Sequence, residues 1–250
     1  YTILITADDD EVRCFLEREL SPHFKTRTAA NGKDALRVLE EEEISLVVSD
    51  VMMPEMNGFE LCRMIKSQLP FSHIPVILLT ALTDERQRIF GITGGADDYI
   101  QKPFHTDYVK IKIIHLLQER QKLRERLLEK LRDNKLLLSE PEKVESIDDA
   151  FLRKFAEQIE AVYADPEYNV EKLSETLGLS RGHLHRKIKE LTGTAPVEFL
   201  RTYRLNKATQ LLRQNAYTVS EVAYRTGFSS PAYFSKCFKA VYGVTPTEYQ

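Results

Sequence analysis

The chain has 250 residues, 42% of them hydrophobic and 29% charged, with a formal net charge of −3. That is an ordinary globular composition, long enough for two domains with a core each. Its longest apolar stretch, near 74–82, is broken by Pro75 and Thr80 and is far too short to span a bilayer; no secretory signal is evident, and Cys14, Cys62 and Cys237 fit no metal spacing and read as reduced cytosolic thiols.

The mean charge hides an asymmetry. Residues 1–143 carry 21 Lys and Arg against 25 Asp and Glu, and residues 144–250 carry 14 against 13. The second part is weakly basic, so any affinity for nucleic acid has to come from local clustering.

In chain order, 2–7, 44–49 and 75–80 are short, β-branched, nearly continuous apolar runs, the pattern of strands buried on both faces of a parallel sheet. Weaker strands fit at 25–28 and 98–100, and helical periodicity falls at 11–20, 32–42, 58–69 and 84–93. Strand and helix alternating five times predict an α/β, doubly wound, five-stranded parallel sheet. From 106 to about 139 there is neither Gly nor Pro, which predicts a last helix running on into a helical linker. Ile113, Leu117, Leu127, Leu131 and Leu138 fall on one seam of it, which suits either a parallel coiled coil or a helix lying on its own domain. Pro141 and the acidic residues to Asp149 mark a boundary. The expected organisation is 1–120, a linker over 121–149, and an all-α domain over 150–250.

That last part repeats itself at an offset of about fifty residues. Leu191, Gly193, Pro196 and Glu198 answer Val241, Gly243, Pro246 and Glu248, and Leu184, Arg186, Ile188 and Lys189 answer Phe234, Lys236, Phe238 and Lys239. Each copy reads as helix, Gly-containing turn, helix: Gly178 and Gly227 take the turns, Ser180 and Ser230 the caps, and Pro231 a first helical position. Leu173, Leu177, Leu184 and Ile188 would close the core of the first copy. Arg181, Gly182, His185, Arg186 and Lys189 are left outward on its second helix, and in the second copy Ser229, just ahead of the cap, and Tyr233, Ser235, Lys236 and Lys239 on the helix are placed to meet DNA. The helix-turn-helix pattern places that second helix in a major groove, and two copies suit direct repeats or paired sites about 34 Å apart on double-stranded DNA. A helix from 197 to 213 joins the copies.

In the first part, the carboxyl ends of the strands form the binding rim of such a sheet. They bring Asp8, Asp9 and Asp10, then Asp50, then Thr80, then Lys102 to one edge. Clustered carboxylates need a counter-cation, and hard oxygen ligands favour Mg²⁺. A carboxylate in that field can attack phosphorus, with hydroxyl and ammonium groups holding the phosphoryl oxygens.

The stretches Ser49-Asp50 to Pro54 and Gly58, Leu79-Thr80-Ala81, and Gly95 to Lys102-Pro103-Phe104 resemble the response-regulator receiver family over roughly 1–120. The resemblance implies that Asp50 is the phosphoacceptor, that Asp8, Asp50 and the Met52 carbonyl hold Mg²⁺, and that Thr80 and Lys102 sense the phosphoryl group. It further implies that Tyr99 is an aromatic switch and that the Lys102–Pro103 bond is cis. Ala7 stands where that family has a first acid; either Asp9 substitutes as a metal ligand or the ion keeps an additional water. The run from Gly227 to Lys239 and the ending Tyr242 to Tyr249 resemble the AraC-type DNA-binding domain over roughly 150–250.

Together these resemblances imply a cytoplasmic two-component regulator. A histidine kinase, separate or in the same polypeptide, would phosphorylate Asp50, favour a homodimer and so control DNA binding and RNA polymerase. A chain starting at Tyr1 with no initiator Met suits the arm of a membrane-anchored hybrid kinase slightly better than a stand-alone regulator. A phosphatase that forms an aspartyl-phosphate is the competing enzyme reading; a nucleophile on the third strand and the attached DNA reader argue against it. A protein-interaction module without phosphorylation is the other alternative.

Overall fold

The structure, a computed structural model, describes residues 1–81, 95–132 and 146–250, with backbone alone for 127–132. The expected helix at 84–93 and the Pro141 boundary lie outside the described residues. The chain forms two compact units, Tyr1–Lys122 and Leu123–Gln250.

In the first unit, strands β1 (Thr2–Thr6), β2 (Lys25–Ala29), β3 (Leu46–Asp50), β4 (Val76–Thr80) and β5 (Asp98–Gln101) form one parallel sheet in the order β2-β1-β3-β4-β5. The central strands are apolar on both faces because both faces are covered, as parallel sheets require. Leu4, Val47 and Leu78 enter one core with Leu61, Cys62 and Ile65; Ile3, Ile5, Val48, Ile77 and Leu79 enter the other with Leu16, Val109, Ile113 and Leu117. Fully burying each such aliphatic side chain contributes about 1.5–3 kcal/mol.

The helices α1 (Asp10–Leu20), α2 (Gly32–Glu41) and α3 (Gly58–Ser67) start at Asp9, Asn31 and Asn57, whose side chains accept from the first-turn N–H groups. Asn57 and Glu60 form a capping box. Gly58 lets α3 begin against the end of β3: a Cβ there would lie 2.2 Å from the Asp50 carbonyl oxygen. Helix α4 runs from Thr106 to Arg132. Ile113 and Leu117, the first members of the linker seam, are core residues of their own unit; the side chains of Leu127, Leu131 and Leu138 lie outside the described residues.

Helices α5 (Ile147–Val162), α6 (Val170–Leu177), α7 (Arg181–Thr192), α8 (Pro196–Arg213), α9 (Val219–Arg225), α10 (Pro231–Tyr242) and α11 (Pro246–Tyr249) belong to the second unit. The pairs α6–α7 and α9–α10 are the two repeated copies. Ser180 accepts from His183 N at 3.2 Å and Ser230 from Tyr233 N at 3.3 Å, so each second helix has the expected cap. The first copy buries Leu173, Leu177, Leu184 and Ile188. The second holds an aromatic cluster of tilted and edge-to-face rings, with Phe234–Phe238 centroids 5.6 Å apart and Phe238–Tyr249 5.3 Å apart. Gly227 has φ +79°, and a Cβ there would lie 2.1 Å from the Tyr163 carbonyl oxygen, so this turn has neither the conformation nor the room for a side chain.

Candidate functional site

The observed β3 begins two residues later than the apolar run and ends on Asp50, paired with Leu79 of β4. Asp50 is therefore the last ladder residue at the carboxyl rim, and it is 6% exposed. Its carboxylate pairs with Lys102 Nζ, while its other oxygen faces Met52 N at 3.4 Å. Ser49 Oγ donates to the Asp50 carbonyl at 2.9 Å, which occupies the backbone and leaves the carboxylate for the rim.

Thr80 ends β4 beside β5, and Lys102 N donates to the Thr80 carbonyl at 2.7 Å. The Lys102–Pro103 bond is cis. Carboxylate, hydroxyl-bearing residue and lysine thus come from three strand ends at one rim. The acid at position 8 follows β1, whose Thr6 pairs with Ser49, so Asp8 leaves the sheet beside Asp50.

Asp9 is engaged elsewhere. Its Oδ1 accepts from Glu11 N at 2.8 Å and Val12 N at 3.4 Å, capping α1. Arg13 donates to the Ala7 carbonyl at 2.5 Å and pairs with Asp10. Among the described residues no group of three His, Cys, Asp or Glu is placed to hold a metal. Of the oxygen donors expected for the metal, Asp8 follows the end of β1 and Met52 follows Asp50 at the end of β3. This small set fits Mg²⁺, which is commonly held by one or two carboxylates together with water and phosphate oxygens.

Tyr99 in β5 packs against the core that holds Cys62, with Met56 and Phe59. Burial, with the neighbouring Cys62 thiol adding to it, pushes the phenol up to about 12. The thiol itself is pushed up to about 11, chiefly by burial. Lys66 bridges Asp97 at 2.6 Å, and Asp97 accepts from Val76 N at 2.8 Å, which ties the approach to β5 to the start of β4.

In the second unit, Arg181, Gly182, His185 and Lys189 are exposed on α7 and Arg186 is half-buried. Arg181 also meets Glu171 of α6 at 2.7 Å. On the second copy Ser229, Tyr233, Lys236 and Lys239 are exposed. Ser235 is half-buried and its hydroxyl donates to the Pro231 carbonyl at 2.9 Å, so its proton is already used. Arg201 of α8 pairs with Glu198, and hydrogen bonding to Glu198 first and to Tyr233 second raises the pKa of its guanidinium.

A parallel sheet with acid, threonine and lysine at its carboxyl rim, followed by paired helix-turn-helix copies, defines a receiver joined to a DNA reader. Comparison with known proteins agrees. Residues 3–114 match the response regulator receiver domain family and residues 173–250 match a helix-turn-helix domain family. The chain is a response-regulator receiver domain joined to an AraC-type helix-turn-helix DNA-binding domain.

Over its whole length it is similar to histidine kinase P4 of Formosa agariphila, 39% identical over 249 residues, which make up 18% of that protein. Over 48% of its length it is 43% identical to half of the transcriptional regulatory protein GltR of Pseudomonas aeruginosa. The receiver domain of a signal transduction histidine kinase from Syntrophus aciditrophicus is 38% identical over 47% of the chain and 90% of that structure, with a TM-score of 0.46. The chain thus spans about a fifth and about half of the two curated relatives. No helix among the described residues is long and apolar enough to cross a membrane.

Proposed function

We propose that this chain is a phosphoryl-controlled transcription regulator in which Asp50 is the phosphoacceptor. The carrying observation is the Asp50–Lys102 pair at the carboxyl rim, with Thr80 on the adjoining strand end. Asp50 supplies the nucleophilic oxygen, and Lys102 offsets its charge and then the charge of the transferred group. Asp8, Asp50 and the Met52 carbonyl would hold Mg²⁺, which supplies charge neutralisation of the phosphoryl oxygens. Asp9 has a lesser claim as a ligand, since its carboxylate already caps a helix.

Phosphorylation adds a charge of about −1.5 to −2. Lys102 and Thr80 turn toward it, Tyr99 follows Thr80, and Pro103 holds the loop that carries Lys102. The chain takes up a phosphoryl group rather than turning over a substrate, and the donor is a histidine kinase. The full-length likeness to part of a protein named as a histidine kinase favours a donor within the same polypeptide. The functional divisions are 1–120, the linker 121–149 and 150–250.

Phosphorylated chains pair, and pairing raises DNA affinity by effective concentration. Arg181, Gly182, His185, Arg186 and Lys189 read one segment; Ser229, Tyr233, Ser235, Lys236 and Lys239 read the next, with RNA polymerase as the final partner in the cytoplasm. The test is incubation with acetyl phosphate and Mg²⁺ followed by intact mass. One phosphoryl group on the wild-type chain and none on Asp50→Asn supports the assignment; equal uptake by both defeats it.

A further inference from the structure

The offset that relates the two copies places Lys187 of α7 where Cys237 stands in α10. Cys237 is an apolar filler in the core around Phe228, Phe234 and Phe238. Lys187 is 0% exposed, so the first copy has an ammonium group in the position that the second fills with a thiol. A charge is stable there only if paired. The partner is Asp148 in the first turn of α5, 2.5 Å away, with the Phe151 ring one turn on, its centroid 5.1 Å from Nζ.

The other end of α5 meets different elements. Arg204 of α8 donates to the carbonyls of Tyr163 and Asp165 at 2.7 and 2.6 Å, and the Gly227 turn of the second copy closes on the Tyr163 carbonyl. Nearer the middle, Glu160 pairs with Lys207 at 2.8 Å and accepts from Tyr203. Helix α5 therefore grips the first copy at one end and the connecting helix and second turn at the other. It lies outside residues 173–250, which match the helix-turn-helix family.

We propose that Lys187 and Asp148 are positioning residues, fixing the rotation of α7 against α5 and so where Arg181, His185 and Arg186 fall on DNA. A buried ammonium is satisfied only while its carboxylate stays within reach, which limits how far α7 can slide or turn against α5. The inference rests on α7 and α10 being the DNA-reading helices.

The test uses the full chain and a randomised duplex library of about 40 base pairs, long enough for two half-sites roughly one helical turn apart, with bound DNA sequenced. Arg186→Ala and Tyr233→Ala assign the half-sites to the two copies. The test variants are Asp148→Asn and the apolar double Lys187→Met with Asp148→Leu, each followed by thermal melting. The double variant is expected to fold, to keep the base preference of the second half-site and to lose at least about tenfold of the preference at the first. Wild-type preference at both half-sites, equal loss at both, or failure of the double variant to fold would each overturn the positioning role. A wild-type chain that selects no sequence would overturn the DNA-reading assignment, and the inference with it.

Discussion

Each unit shelters a lysine–aspartate pair, and the two pairs are inverted. In the first unit the carboxylate is the hidden partner: the Asp50 side chain is 8% exposed and that of Lys102 27%. In the second unit the ammonium is hidden, Lys187 at 0% against 22% for Asp148. On the function proposed above, the sheltered carboxylate at a strand end presents an oxygen to an incoming phosphorus while the lysine swings with the new charge. A sheltered ammonium presents nothing reactive and can only hold its neighbours. On the function and the inference proposed above, the same two residue types make a switch in one setting and a fastening in the other.

The comparison can be broken at either pair. The largest effect is expected for Asp50→Asn, which removes phosphoryl uptake altogether, read by intact mass with acetyl phosphate. Next is Asp148→Ala, which leaves a buried ammonium without its carboxylate; the cost is about 3–5 kcal/mol of unfolding free energy in denaturant titration. Lys102→Met, by contrast, is expected to cost less, about 1–3 kcal/mol, because Met52 N still faces the surviving Asp50 carboxylate. It should still accept phosphoryl groups but lose the increase in DNA affinity that follows. If Lys102→Met proves as damaging as Asp148→Ala, the contrast between switch and fastening fails.

Smaller effects sharpen the picture. Gly227→Ala forces a Cβ onto the Tyr163 carbonyl at a left-handed φ and should cost about 1–3 kcal/mol, seen as a lower Tm. The Tyr99 phenol is neutral in the folded chain up to about 12, against an ordinary value of 10.0. Between those values the folded state holds a proton that the unfolded state has lost, so stability is full below pH 10 and falls as pH rises through about 12. Tyr99→Phe should flatten that decline in denaturant titrations at stepped pH; an unchanged slope would show that the phenol is not the source.

Much of this was legible in the sequence because it is periodic or punctuated. Both-face apolar runs gave the central strands, and their ends put Asp50, Thr80 and Lys102 on one rim. Ser180, Ser230 and Gly227 marked turns and caps by local chemistry that needs no tertiary information. The seam through Ile113 and Leu117 was ambiguous because a core-facing stripe and a coiled-coil stripe share a spacing, and only packing shows both residues in the receiver core. Asp9 is ambiguous in the same way: a carboxylate ahead of a helix suits a metal or a cap, and its Oδ1 accepts from two backbone N–H groups as a cap does.

Lys187 gave no signal. A lysine on a helix reads as a solvated charge, and its partner lies thirty-nine positions away. Buried ion pairs break the apolar pattern on which such reading depends, so they surface only when the fold is seen. The same holds for Arg204, whose contacts are backbone carbonyls at the end of another helix.

The most direct measurement is a DNA-binding titration of the wild-type and Asp50→Asn chains against the selected duplex, with and without acetyl phosphate and Mg²⁺. The expected result is tighter binding by the wild-type chain on phosphoryl loading and no change for Asp50→Asn. Equal affinity of the wild-type chain in both conditions, despite full loading by mass, would contradict the claim that charge gained at Asp50 governs the DNA reader.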